Sequence, residues 1–156
     1  MKSIIVLENN NSKVQIEEGE LISFIVDENE YIHQKDSKGW RRSDDEMFPV
    51  IGPTSKNNYR MQTKKGEAIQ DQHGLLRELE YDAFYTDETS AKFIKSYAAN
   101  TKVKNAKFPE KSTEPFVHWP FDFTFEKHFS LQKGILTIDF ILTSAEGMPY
   151  MLGYHP

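Results

Sequence analysis

The sequence contains no cysteine. Disulfides and thiolate metal ligands are therefore excluded, and a reducing, cytoplasmic location is expected. Long apolar runs are also lacking. The first apolar stretch, residues 4–7, is too short for a secretory core and gives way to asparagines. Nothing approaches the length of a membrane span, so no membrane is expected as a partner. A basic excess is missing too: 19 Lys and Arg stand against 24 Asp and Glu, for a net charge of −5. Neutralising phosphates needs the opposite balance, so nucleic acid is not expected either. Helical periodicity is absent throughout. The five histidines (His33, His73, His118, His128 and His155) include no H-x-H pair of the kind a metal site favours.

What is present is aromatic side chains and alternation. Phe, Tyr and Trp make up 13% of 156 residues, enough for one domain, residues 1–156, with a sizeable core. In "PFDFTFEKHF", Phe121, Phe123 and Phe125 fall in one phase while Asp122, Thr124 and Glu126 fall in the other. In "GILTIDFILT", Leu136, Ile138, Phe140 and Leu142 share a face. Period-two patterning predicts half-buried antiparallel strands, joined here as a hairpin through residues 130–134. Further strands are predicted over residues 3–7, 13–16, 21–26, 59–63, 78–85, 92–97 and 148–154. Many short strands imply an all-β antiparallel sandwich. Residues 35–58 read as a long irregular loop, the kind that carries function on a β scaffold. A second loop, residues 100–118, carries Lys102, Lys104 and Lys107, expected as a solvated face.

The histidines divide by context. His128 shares the polar phase with Glu126 and is expected at the surface, His118 is expected to pack against Trp119 in a turn, and His33 is uninformative alone. His73 precedes Gly74, which permits close backbone approach. His155 ends an apolar stretch, "MPYMLGYHP", either as decoration on a frayed terminus or as part of a site assembled from elsewhere.

Five blocks in order carry a resemblance. "EYIHQKDSKGW", "MFPVIGP", "QHGLLRE", "PFDFTFEKHF" and "MPYMLGYHP" are similar to blocks of the aldose 1-epimerases, the galactose mutarotase-like group. The resemblance implies a mutarotase-like supersandwich, of which this chain would be the N-terminal part. It also implies interconversion of the α and β anomers of an aldohexose, or of a sugar phosphate, by acid–base ring opening without a cofactor. It places His155 as the acid that protonates the ring oxygen and His73 as a second catalytic group at the ring. Arg42, Arg77 and Trp40 would bind substrate, Arg77 chiefly bracing the site from behind. Trp40 or Trp119 would stack on a sugar face, unless each simply packs in the core. The family's general base is a glutamate in a second half, and no position here matches it. The chain is therefore expected to be a truncation, or to be completed by a second chain or a dimer. A non-catalytic carbohydrate-binding module, or a fragment without a ligand, is the alternative. The resemblance breaks at Asp44, Asp45 and Glu46, where relatives carry small or proline residues, and at Pro53, where an arginine is usual. Both breaks are expected to line the sugar cleft.

Overall fold

The computed structural model describes residues 4–35 and 42–156. Trp40 lies outside the described residues. The strands, in chain order, are β1 (Ile4–Asn9), β2 (Ser12–Glu17), β3 (Glu20–Val26), β4 (Asn29–Glu30), β5 (Asp45–Met47), β6 (Arg60–Thr63) and β7 (Gly66–Ile69). They continue as β8 (Asp82–Thr86), β9 (Ser90–Tyr97), β10 (Val103–Lys104), β11 (Phe116–Val117), β12 (Phe123–Gln132), β13 (Ile135–Ser144) and β14 (Gly153–His155). Every pairing is antiparallel. The chain is all-β, with only two short 3-10 turns among the described residues.

Two four-stranded sheets face each other, ordered β1-β2-β3-β4 and β13-β12-β9-β8. Tight turns set the registers. Glu18–Gly19, Asp27–Glu28 and Lys133–Gly134 each place two consecutive residues at positive φ, the twist that matches two-residue hairpins. Alternation then delivers one phase inward. Leu7, Val14, Ile16 and Leu21 of the first sheet meet Ala91, Phe93, Phe129 and Leu131 of the second. A second cluster gathers Phe48, Leu75, Leu76, Tyr97, Trp119, Phe121, Phe123 and Phe125.

Between the two clusters the inward phase turns polar. On β12 the inward residues run Phe123, Phe125, Lys127, Phe129, Leu131, and on β9 Ala91, Phe93, Lys95, Tyr97. Lys127 is fully buried and Lys95 is 4% exposed. Asp44 and Glu46, both buried, lie over them. The Lys127 ammonium bonds Asp44, and Glu46 Oε1 at 2.6 Å. Lys95 donates to the Leu76 carbonyl at 2.9 Å and sits 4.1 Å from the centre of the Tyr81 ring. Two ammonium groups and two carboxylates thus form a layer that is neutral as a whole. Burial works to discharge Lys127, but Asp44 and Glu46 outweigh it and raise its pKa. Lys95 has no bonded carboxylate among the described residues, and burial lowers its pKa to about 8 despite the attraction of Glu46.

The structure corrects several expectations. The strand expected over residues 78–85 begins only at Asp82, and the residues before it include consecutive buried leucines, Leu75 and Leu76. A strand cannot send neighbouring side chains to one side, so the chain turns through a 3-10 segment at Leu76–Glu78. The loop over 35–58 contains β5, and the strand expected over 148–154 is reduced to Gly153–His155. His128 is half-buried, with its ring nitrogen 2.7 Å from Glu126 and its ring against Phe84. Trp119 is a core residue, 3% exposed, and is not available to stack on a sugar.

The lysine layer has a pH signature. A Lys95 pKa of about 8 against 10.5 unfolded means that the unfolded chain holds the extra proton between those values, so stability rises with pH there. Above about pH 10 the buried Tyr81 and Tyr154 hydroxyls, their pKa values pushed far up, reverse the slope. Urea unfolding is expected to show a net gain of about 1 kcal/mol from pH 8 to 10, turned into a small loss in Lys95→Met.

Candidate functional site

Residues 45–51 act as a spine along which two distant segments are laid. On one side β14 pairs with β5 in the register Gly153–Met47, Tyr154–Glu46 and His155–Asp45, and the Met151 amide donates to the Pro49 carbonyl at 2.9 Å. On the other side the His73 amide donates to Ile51 O at 3.2 Å. The Phe48 amide donates to His73 O at 3.2 Å, and the Leu76 amide to Phe48 O at 3.1 Å. His73 and Gly74 both have positive φ, 77° and 72°. A Cβ at position 74 would overlap the Phe48 carbonyl, so only glycine lets the turn lie this close to the spine.

The spine brings His73, Arg77, Asp45, Arg42 and His155 together. One Arg77 nitrogen pairs with the Asp45 carboxylate. Another stands 3.0 Å from His73 Nδ1. Arg42 closes the group from the side, donating to Arg77 O at 3.0 Å and reaching Asp45 Oδ1 at 3.5 Å. A guanidinium can only donate, so His73 Nδ1 must accept, and its proton resides on Nε2. The ring is then neutral and offers an N–H donor away from Arg77. Burial, Lys107 and His155, in that order, lower the His73 pKa, with Asp71 opposing. His155, itself exposed, is therefore near enough to act on His73 electrostatically. Burial also lowers the Arg77 pKa, with Arg42 adding to the effect.

Behind His73 a second brace holds the turn. Asp71 accepts from Asn105 Nδ2 and Lys107 Nζ, each at 3.1 Å, and Lys107 also reaches Gln72 O at 2.6 Å. Burial works against the Asp71 charge, but hydrogen bonds from Ser112, Asn105 and Lys107 overcome it and lower the pKa. Lys107 is thus a strut and not part of a solvated face.

On the other side of Arg77, toward the buried lysine layer, lies a polar cleft of about 630 Å³. Its walls include Glu20, Lys35, Arg42, Arg77, Tyr81 and Lys95. Arg42 and Arg77 border both regions. His73 and His155 do not line this cleft. Among the described residues no three His, Asp or Glu side chains are grouped as a metal site. No helix among them is long and apolar enough to cross a membrane.

No protein-family model matches the sequence, and no curated protein matches it. Solved structures do. A galactose mutarotase-like protein from Lactobacillus casei superposes with a TM-score of 0.76 at 26% identity, over 99% of this chain and 49% of that one. The fold is that of the galactose mutarotase-like proteins. A galactose mutarotase related enzyme from Lactobacillus acidophilus gives 0.73 at 22% identity, over 99% of this chain and 48% of that one. A provisionally assigned aldose 1-epimerase from Escherichia coli K12 gives 0.73 at 15% identity, over all of this chain and 52% of that one. The chain spans about half the length of each of these mutarotase-like structures.

Within this mutarotase-like fold, Asp45 was legible only as a departure from pattern, and Lys107 only as one of several loop lysines. A histidine followed by glycine, with an arginine one turn on, was the signal that did point to His73 and Arg77.

Two outcomes are expected. Nitrogen NMR should show His73 as the Nε2–H tautomer with a midpoint below 6.5. A depressed imidazole pKa means that its stability contribution is intact above pH 6.5 and lost as pH falls toward the folded-state value. Gly74→Ala is expected to lower stability by at least ~2 kcal/mol, read from the urea midpoint.

Proposed function

We propose that residues 1–156 form one domain, the N-terminal part of a mutarotase-like sandwich, and carry the imidazole half of a site that interconverts the anomers of a free aldose. The observation that supports this reading is the meeting of His73, Arg77, Asp45 and His155 on one spine, within a galactose mutarotase-like fold.

The chemistry divides as follows. Ring opening breaks the C1–O5 bond, gives O5 a proton and takes one from the C1 hydroxyl, leaving an aldehyde. Rotation about C1–C2 and reclosure on the other face, with the two protons returned, produces the opposite anomer. His155, on an exposed strand end, is the proton donor to O5, a task that suits imidazole because its ordinary pKa lies near neutrality. His73 contributes the Nε2–H donor that holds the ring region. Arg77 fixes that tautomer through Nδ1 and contacts substrate less than it braces His73. Arg42, at the edge of the cluster, and Trp40 bind the sugar. The carboxylate base for the C1 hydroxyl is not assigned to any residue of this chain. The substrate is an aldohexose or its phosphate, and the reaction as drawn calls on no cofactor.

A missing acid–base partner typically lowers a rate by about 10²–10⁴, so the test supplies one. Fresh α-galactose or α-glucose is followed by polarimetry with the chain, with and without added formate. Formate is expected to raise the rate above the sum of chain and buffer, and His155→Ala to abolish that increment. Sugar-dependent shifts of the His73 and His155 signals without any increment would favour a binding module. No shift and no increment would end both readings.

A further inference from the structure

The β5–β14 ribbon has two faces, and they do different things. Paired residues of an antiparallel ladder share a face, and neighbours along a strand alternate. Asp45 and His155 are one such pair, and Glu46 and Tyr154 are the next. The outward pair stands with Arg77 and His73. The inward pair meets the sheet below. Glu46 accepts from Lys127 at 2.6 Å, and the Tyr154 hydroxyl donates at 3.1 Å to Asp44, which also pairs with Lys127.

A ribbon of three residues per strand does not hold its own position. Its seat must come from what lies beneath, and the polar part of that seat centres on the ammonium group in the middle of β12, with the Leu21 backbone beside Asp44 and Lys95 and Tyr81 beside Glu46. Stability alone does not explain the choice, because a well-packed apolar trio in place of a buried ion cluster is often as stable or more so. What charges add is direction and register. Residues 44–46 are three consecutive acids, and a slip by one would turn Asp45 inward and Asp44 and Glu46 outward. Lys127 would then exchange two carboxylates for one, and Arg77 would face a different acid in place of Asp45.

We infer that Lys127 is a positioning residue: its buried ammonium sets the register and seat of the β5–β14 ribbon, and through it the placement of Asp45 and His155 against Arg77 and His73. The inference deepens the proposed function but can be tested apart from it.

Lys127→Met alone strands two buried carboxylates and is expected to unfold the chain. The informative variant is Lys127→Met with Asp44→Asn and Glu46→Gln, which removes all three charges at similar volume. It is expected to fold by circular dichroism. As His155 moves off, the His73 midpoint should rise toward 6.5. The formate-dependent polarimetric increment should fall roughly 10²-fold, the scale of a misplacement of about an ångström. If the triple variant does not fold, Glu46→Gln decides by the same titration, since it keeps the volume and removes one of the two ion pairs through which Lys127 seats β5. A folded variant whose His73 midpoint equals that of the native chain overturns the inference. A native chain without any increment would remove the catalytic reading, while a shifted His73 midpoint in the variant would still support the positioning role.

Discussion

One buried ammonium organises this structure. Lys127 stands in the inward phase of the central strand β12, where its neighbours in phase are phenylalanines. A lone charge there would cost several kcal/mol in lost hydration, so it dictates what must lie over it. Asp44 and Glu46 supply that covering. The chain from 44 to 51 is then committed to cross the sheet at this point, and everything that pairs with that stretch inherits its position. The His73 turn and the Gly153–His155 strand both do so through backbone hydrogen bonds.

Arg77 performs the corresponding task on the outer side. Its donors run to Asp45 and to His73 Nδ1, and its carbonyl receives Arg42. The same cation therefore ties the spine to the turn and selects the tautomer of the imidazole. A lysine would supply the charge without the planar fork that reaches both partners at once. Electrostatics and geometry agree here: donation to Nδ1, and the fields of Lys107 and His155, both favour an uncharged His73 ring.

Much of this was legible in the sequence, for definite reasons. Alternation in "PFDFTFEKHF" and "GILTIDFILT" gave β12 and β13 with the right faces inward, because burial on one side of a sheet leaves a period of two. The pairing of His73 with Gly74 marked a close approach that the Phe48 carbonyl now explains. The strands β4, β10 and β11 escaped because two residues are too few to show a period. The 3-10 turn at Leu76–Glu78 escaped because adjacent leucines fit a buried strand as well as a turn. Lys95 and Lys127 were visible all along as charges in the apolar phase of their strands. Read alone they look like interruptions, and only the sheet shows that they are neighbours across β9 and β12.

That adjacency changes the meaning of the acidic triplet before Phe48. Taken as a departure from a family pattern of small or proline residues, Asp44, Asp45 and Glu46 look like a change in what the cleft accepts. In the folded chain two of the three point at Lys127, and the third at Arg77. Asp44 and Glu46 border the polar cleft beside Arg42 and Arg77, while their ion pairs run inward to Lys127. Burial, with Glu46 adding to it, raises the Asp44 pKa against the pull of Lys127, while Lys127 and Lys95 overcome burial at Glu46 and lower it. The triplet and the two strand lysines thus form one charged unit spread over β5, β9 and β12, held by directed bonds in place of apolar contact.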